Sequence, residues 1–406
     1  MHKKTIAVIA TLDTKGEEAD FVRQQIEQLG GKAVLIDMGL IDEPTTDADI
    51  NRHQVIEKGG SSLEELLVAP DRQHAAPIII AGTIAILNEM IAQGELHAVL
   101  GFGGTQGTSN CAAIMQALPY GLPKVLLSTM ASGDTSAFVG IKDITMMFSV
   151  SDILGLNPLS RTILSNAAAA AWGMTQSTAA LTKTEGKAVI GMTNLGVLTD
   201  GAMHALKLFR AAGHEVMVFH AVGSGGCAME QLMKEGHIDA VFDYALGEIS
   251  DEVHGGFRAA SPERLTVAGS LGLPQVLCPG GTEHIGIFTE ANVIPEQYKD
   301  HVSVFHNPII FVPRLNADDM RKVGESICQR LASTKGDAVM MLPTRSTSRY
   351  GIAGATLCDP IADQALFDTL EALMPSGVSI ERHDLDAEDP QFVAACVDKL
   401  LELIAK

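Results

Sequence analysis

The chain has 406 residues, enough for two or more domains that each bury a core of their own. Apolar residues make up 46% of it and charged residues 19%, a composition that excludes intrinsic disorder. The formal net charge of −20 excludes nucleic acid and an anionic membrane as principal partners. The six cysteines form no C-x-x-C pair, and the first segment enters a strand directly, so we expect a soluble, cytoplasmic protein with reduced thiols.

Short apolar segments alternate with helical patterns along the first half of the chain. Strands are predicted at residues 6–10, 33–37, 99–102, 125–128 and 145–148. Helices are predicted at residues 17–29, 62–68, 78–92, 108–118 and 161–178. The longest apolar stretch runs from Ala75 to Ala92, and Asn88 and Glu89 interrupt it, which favours a buried helix over a membrane span.

The second half of the chain shows the same alternation of strands and helices, and its sequence is weakly similar to that of the first half. Strands are predicted at residues 188–192, 215–219, 240–242, 275–277, 309–312 and 338–342. Continuous apolar strands separated by helices indicate parallel sheets covered on both faces. We therefore predict an α/β protein of two Rossmann-like three-layer domains with mainly parallel sheets, at residues 1–184 and 185–406.

The first strand-to-helix turn is Thr11-Leu-Asp-Thr-Lys-Gly-Glu-Glu18. It has the form of a capping box, with Thr14 as the N-cap and Glu17 three residues later. Capping leaves Asp13 and Lys15 without a role at the carboxyl end of a strand, where open α/β sheets place ligands. A lysine beside a helix start suits a phosphate.

The most informative segment is the glycine-rich Gly101-Phe-Gly-Gly-Thr-Gln-Gly-Thr108, which joins a predicted strand to a predicted helix. Free backbone N–H groups and the positive end of a helix dipole meet there, an arrangement that suits a phosphate or carboxylate. An ordinary tight turn is the alternative. The segment matches neither a Walker A loop, which needs Gly-Lys-Ser/Thr, nor the dinucleotide fingerprint, since Gln106 stands where the third glycine is required.

Polar residues follow several other predicted strands. Thr129 lies in a hydroxyl-rich segment after the fourth strand, and Gly223-Ser-Gly-Gly-Cys227 is a second glycine-rich helix start that suits an anion. The segment Cys278-Pro-Gly-Gly-Thr-Glu-His284 ends in an acid–imidazole pair, Glu283 and His284. Arginines at strand ends, in a chain this acidic, suggest a carboxylate or phosphate substrate, with surface exposure as the alternative; they are Arg314, Arg345 and Arg349.

Together these motifs resemble an uncharacterised protein family typified by the ATP-binding inhibitor domain of a plant tobamovirus-resistance protein. The residues that carry the resemblance are Thr11–Glu18, Gly101–Thr108, Gly223–Cys227, Pro279–Thr282 and Pro313–Asn316. The resemblance spans the whole chain and implies two Rossmann-like domains and ATP bound without a Walker A motif. It implies no reaction, and virus inhibition is not carried over.

We therefore expect ATP, with or without Mg²⁺, to bind in the first half. Its predicted contacts are Asp13, Lys15, Gly103, Gly104, Thr105, Gln106, Gly107, Thr108 and Thr129. Opposite the nucleotide, in a cleft between the halves, His284 is the candidate general base, with Glu283 and Arg314 as further catalytic candidates.

Three functional classes stay open at this point. The first is an ATP-dependent enzyme that acts on a small carboxylate or phosphorylated metabolite. The second is a non-catalytic binding or regulatory module that the nucleotide stabilises. The third is a metal-dependent hydrolase or isomerase. We also expect a homo-oligomer, and neither a nucleic-acid nor a membrane partner.

Overall fold

A computed structural model describes residues 3–68, 72–177, 179 and 181–406. The chain divides into two compact units, Met1–Leu181 and Thr182–Lys406. Each unit is built around its own parallel β-sheet. The prediction of two α/β domains with mainly parallel sheets is confirmed.

The N-terminal unit is a five-stranded sheet with helices on both faces. Its strands are β1 (Thr5–Ala10), β2 (Lys32–Asp37), β3 (Ala98–Gly103), β4 (Lys124–Ser128) and β5 (Ile144–Phe148). Its helices are α1 (Leu12–Gln28), α2 (Arg52–Lys58), α3 (Leu63–Val68), α4 (Arg72–Ala92), α5 (Thr105–Gln116), α6 (Ser136–Val139) and α7 (Pro158–Met174). The strand order is β2-β1-β3-β4-β5, and every neighbouring pair is parallel.

Strand β1 shows why these strands are apolar throughout. Ile6 and Val8 pack on one face of the sheet, against α1 and α7. Ala7 and Ile9 point to the opposite face, which α2, α4 and α5 cover. All six residues of β1 are buried, as expected for a parallel strand with helices on both sides.

The C-terminal unit is a six-stranded parallel sheet with a small antiparallel sheet beside it. Its strands are β6 (Val189–Asn194), β7 (Glu215–His220), β8 (Ala240–Ala245), β9 (Gln275–Gly280), β10 (Ile287–Phe288), β11 (Ser303–Asn307), β12 (Ile310–Pro313), β13 (Ala338–Pro343) and β14 (Val378–His383). Its helices are α8 (Thr199–Ala211), α9 (Ser224–Lys234), α10 (Gly247–His254), α11 (Val267–Leu271), α12 (Ala317–Leu331), α13 (Pro360–Leu373) and α14 (Pro390–Ile404). The large sheet has the order β14-β13-β9-β8-β6-β7, and the small one β10-β12-β11.

The two faces of the large sheet carry separate cores. Ile190 and Met192 of β6 pack against α8 and α14 on one face. Met340 and Leu342 of β13 pack on the other face, against α12 and α13. The apolar pattern predicted residues 309–312 as a strand of the parallel sheet. That prediction was wrong, because β12 pairs antiparallel with β10 and β11 in the small sheet.

Helix α4 differs from the buried helix that its sequence predicts. Ile79, Ile86 and Leu87 face the core, but Pro77 and Ala81 are exposed. The segment His74–Ala92 is also the single stretch, among the described residues, that is long and apolar enough to cross a membrane by length and composition. A third of that window, 33%, is buried, so its apolar character is only partly explained by the core.

Candidate functional site

A cavity of about 340 Å³ opens in the N-terminal unit at the carboxyl ends of β1 and β3. The chain leaves β1 through α1 toward β2 on one side, whereas β3 lies on the other side of β1. Such a reversal of strand order opens a crevice between the two following loops, which is where α/β sheets of order 2-1-3-4-5 bind ligands. Both predicted loops line this cavity, with Asp13, Lys15, Gly103, Gly104, Thr105, Gln106 and Gly107 among the lining residues.

The first loop has a tighter geometry than the capping box that its sequence predicts. Helix α1 begins at Leu12, so Thr14 lies inside its first turn, and the Thr14 hydroxyl is 2.8 Å from the Thr11 hydroxyl. The helix is kinked at Lys15, whose φ of −130° and ψ of 20° are not helical. The next residue, Gly16, must be a glycine, because a Cβ there would lie 2.2 Å from the hydroxyl of Thr45. The capping-box prediction was therefore wrong.

Asp13 is held by the loop that follows β2. Its Oδ2 accepts hydrogen bonds from the backbone nitrogens of Leu40 (3.2 Å) and Ile41 (3.3 Å). Its Oδ1 is buried and has no hydrogen-bond partner in the structure. A buried carboxylate oxygen without a partner is costly, so this atom is available to a ligand donor or a cation.

The second loop brings the start of α5 to the cavity. A Cβ on Gly103 would lie 2.9 Å from the Cα of Gly107, so a glycine is required for this close approach of strand and helix. Gly104, the N-cap residue, has a φ of −74°, and a Cβ there would meet nothing within 4 Å. No side chain in the described part of the chain caps α5, so the first N–H groups of the helix, in residues that line the cavity, stay uncapped.

The positive charge in the cavity lining comes from Lys15. Within the described part of the chain its side chain makes no hydrogen bond or ion pair. Apolar lining residues are Met38, Leu40, Ile41, Ala75 and Ile79. The lining thus combines backbone donors and a lysine with an apolar surface.

Two predicted contacts lie outside this cavity. Thr108 is fully buried, and its hydroxyl binds Ser128 Oγ (2.7 Å) and the carbonyl oxygen of Gly103 (3.3 Å). Its hydroxyl therefore serves the loop and not a ligand. Thr129 lines a separate hollow of about 380 Å³ that shares Gly104 and Thr105 with the main cavity.

The second glycine-rich helix start already holds an anion of the protein itself. Glu248 Oε1 accepts hydrogen bonds from the backbone nitrogens of Gly223 (2.6 Å) and Gly226 (3.1 Å). Its Oε2 accepts a hydrogen bond of 2.7 Å from Nε of the fully buried Arg264. The prediction of an external anion at this helix was wrong, because the site is occupied.

The predicted acid–imidazole pair is formed. His284 Nδ1 lies 3.1 Å from Glu283 Oε1, and both residues are buried. Burial raises the pKa of Glu283, but His284, Arg314 and Ser348 outweigh it and hold this pKa well below its ordinary value. Glu283 is therefore an anion that orients the imidazole.

The predicted arginines are engaged in ion pairs. Arg314 is 4% exposed and donates from Nη2 to Asp363 Oδ1 (2.6 Å) and from Nη1 to the carbonyl oxygen of Glu283 (2.7 Å). Arg345 pairs with Asp384, and Arg349 pairs with Glu388 and Asp200. Because its charge is matched inside the fold, we interpret Arg314 as a positioning residue for Glu283.

Two family models match almost the whole chain. The N-terminal domain model of the uncharacterised protein family UPF0261 matches residues 4–180, and its C-terminal domain model matches residues 187–404. The chain belongs to the UPF0261 family. The resemblance noted from its sequence is confirmed by this match and by a plant relative.

Similar proteins occur in bacteria and in a plant. A UPF0261 protein of Clostridium tetani is 38% identical over 407 residues and covers 100% of both chains. One from Rhizobium meliloti is 37% identical, covering 97% of this chain and 98% of its own. The ToMV susceptible protein tm-1 of Solanum lycopersicum is 30% identical, covering 98% of this chain and 55% of its own.

Among solved structures, a putative UDP-N-acetylglucosamine 2-epimerase from Listeria monocytogenes matches 68% of this chain and 79% of its own. Its sequence identity is 13% and its TM-score 0.25. The strand order of this UPF0261 protein itself defines its α/β fold.

Several residues of the C-terminal site were not predicted from the sequence. Arg258 Nη1 lies 3.4 Å from His284 Nε2, and the hydroxyls of Thr347 and Ser348 bind the carboxylate of Glu283. The hydroxyl-rich segment after β13 was the available signal for the last two. Across the described residues, no three His, Cys, Asp or Glu side chains are grouped as a metal ion requires, which gives the metal-dependent class no support.

Proposed function

We propose that this UPF0261 protein binds ATP in the cavity of its N-terminal unit. The observation that carries the proposal is the strand order, which opens a crevice between β1 and β3 where Lys15 and the start of α5 meet. The resemblance to an ATP-binding domain is the reason for naming ATP among nucleotides.

The phosphates fit beside Lys15 and the start of α5, which supply the donors of the cavity lining. The uncapped N–H groups at Thr105, Gln106 and Gly107 supply backbone donors and the positive end of the α5 dipole. The unpaired Lys15 ammonium supplies a full charge close to them. This local set of donors offsets the net charge of −20 of the whole chain.

The adenine fits against the apolar residues of the cavity lining. Ala75, Ala76 and Ile79 of α4 line the cavity together with Met38 and Leu40. An apolar surface of this kind holds a purine by excluding water from its faces. The unpartnered Oδ1 of Asp13 provides an oxygen ligand for a Mg²⁺ ion that accompanies the phosphates.

The physiological role takes one of two forms. In the enzyme form, ATP is consumed while a small carboxylate or phosphorylated metabolite is converted. In the non-catalytic form, ATP only stabilises the chain, by mass action. The buried Glu283–His284 pair, an oriented imidazole beside a second cavity, favours the enzyme form.

A pair of measurements tests the proposal and separates its forms. Thermal unfolding is recorded with ATP, with inorganic phosphate and without ligand, and ATP should raise the midpoint most. The protein is then incubated with ATP and a pool of small metabolites. ADP formation that depends on the pool supports the enzyme form, whereas a thermal shift without turnover supports the module. Absence of any shift with ATP contradicts both.

A further inference from the structure

A second cavity, of about 280 Å³, lies in the C-terminal unit at the carboxyl ends of β6 and β7. Unlike the N-terminal cavity, it follows two strands, β6 and β7, that are neighbours at one edge of the large sheet. Apolar side chains form most of its wall, namely Val197, Val222, Phe257, Ile310 and Val312. Polar groups reach it from His220, Arg258, His284, His306 and Tyr350.

Among the described residues, no aspartate or glutamate side chain lines this cavity, although the chain carries 49 of them. The nearby carboxylates form hydrogen bonds with side chains of the protein. Asp251 accepts hydrogen bonds from Arg258 Nε (3.1 Å) and Nη2 (2.6 Å), and Glu283 is held by His284 and Thr347. The cavity is therefore a local exception in an acidic protein, and it suits an anion.

The hydrogen bonds orient the His284 ring. Its Nδ1 faces the Glu283 carboxylate, which only accepts, so Nδ1 donates. Its Nε2 lies 3.4 Å from Arg258 Nη1, a group that only donates. The Nε2 edge of the imidazole is thus placed beside an N–H donor.

A ring nitrogen and a guanidinium nitrogen side by side match the two oxygens of one carboxyl group. One oxygen accepts from Arg258 Nη1, and the other bonds to His284 Nε2. The cavity volume lies at the lower limit of small-molecule pockets, which run from roughly 300 to 1,000 Å³. A phosphate ester would bring a second charge, which Arg258, already paired with Asp251, does not match.

We infer that this cavity binds a small monocarboxylate with an apolar body, its carboxyl group facing both Arg258 Nη1 and His284 Nε2. This inference names the substrate class for the enzyme form of the proposed function. Only the ligand's role as a substrate rests on that proposed function; its binding does not. The charged and titratable groups that face His284 are Glu283, Arg258 and the Tyr350 phenol, whose ring centre is 5.6 Å away.

Calorimetry with benzoate and its neutral isostere benzamide tests this inference. Benzoate should bind at least about tenfold more tightly than benzamide and than phenyl phosphate. Equal binding of benzoate and benzamide, or tighter binding of phenyl phosphate, overturns the inference.

Two variants locate the binding. Ile310→Phe fills the cavity and should weaken benzoate binding about tenfold or more. Ile309→Phe, one residue earlier on an exposed position outside the cavity wall, should leave it unchanged. Long-range ¹H–¹⁵N spectra of the unsubstituted protein give a second readout, since benzoate should move the His284 Nε2 resonance. An unmoved resonance overturns the inference even if Ile310→Phe misfolds.

The result is distinguishable from failure of ATP binding. Gly104→Asp obstructs the N-terminal cavity and should leave benzoate affinity unchanged. Loss of benzoate binding in Gly104→Asp, with its fold intact, would contradict a separate C-terminal site.

Discussion

Glu248 places its carboxylate 2.6 Å from the backbone nitrogen of Gly223, at the start of helix α9. This internal anion satisfies N–H groups that a free helix start would offer to a ligand. Helix α5 in the N-terminal unit has no such cap, and a Cβ on Gly104 would meet open space. Of the two glycine-rich helix starts, the uncapped one is therefore the nucleotide site that we propose.

Lys15→Gln tests the contribution of charge to ATP binding. The loss of an unpaired ammonium from the phosphate end should weaken ATP about tenfold, because charge-assisted hydrogen bonds to phosphate are lost. Calorimetry of ATP against the variant measures the change. Lys32→Gln, at the amino end of β2 and away from the cavity, is the matched control and should bind ATP normally.

Ala76→Trp tests the apolar wall. An indole at this position of α4 occupies the space that we assign to adenine, so ATP affinity should fall while tripolyphosphate affinity is retained. Ala81→Trp places the same side chain on the exposed face of the same helix and should change neither affinity. Equal losses for ATP and tripolyphosphate in Ala76→Trp would contradict the proposed orientation of the nucleotide.

Arg264→Met tests the buried charge network of the C-terminal unit. Arg264 is fully buried and contacts Asp243, Glu248 and Glu230. Its removal leaves buried carboxylates without a counter-charge, which should cost about 3–5 kcal/mol of unfolding free energy. Urea denaturation measures this loss. Arg345→Met, which breaks an exposed pair with Asp384, should be nearly neutral, and equal effects of both variants would contradict the account.

Glu230 should make stability depend on pH. Burial raises its pKa from 4.5 to about 7, against the opposing effect of Arg264. The folded state therefore binds more protons than the unfolded state between these values, so this contribution to stability is lost as pH rises from 4.5 toward 7. The loss is on the order of 3 kcal/mol. Unfolding free energies at pH 5 and pH 8 should differ less in Glu230→Gln than in the unsubstituted protein, and an unchanged difference would exclude Glu230 as its source.

Local patterns were sufficient to predict most of the parallel strands and the two loops of the N-terminal cavity. Continuous apolar runs indicate strands buried on both faces, and glycines after a strand indicate a close approach of helix and backbone. Thr108 shows the limit of such patterns. Its helix begins at Thr105 and not at the predicted residue 108, so the Thr108 hydroxyl turns inward to Ser128.

Contacts between distant segments could not be predicted from local patterns. Glu248 lies 25 residues beyond Gly223, so no spacing rule marks it as the cap of that helix. Arg258 and His284 are 26 residues apart and meet only because the segments that follow α10 and β9 lie together in the folded unit. The apolar wall from α4 likewise depends on strand order, which local periodicity does not contain.

The most direct test of ATP binding at the uncapped helix is calorimetry of ATP with Gly104→Asp. The new side chain has space in the fold but puts a negative charge where the phosphates should lie, so ATP binding should be lost while the unfolding midpoint without ligand stays the same. Gly173→Asp, which also adds an aspartate at an exposed glycine with open space around it, should bind ATP like the unsubstituted protein. Undiminished ATP affinity in Gly104→Asp would contradict the account.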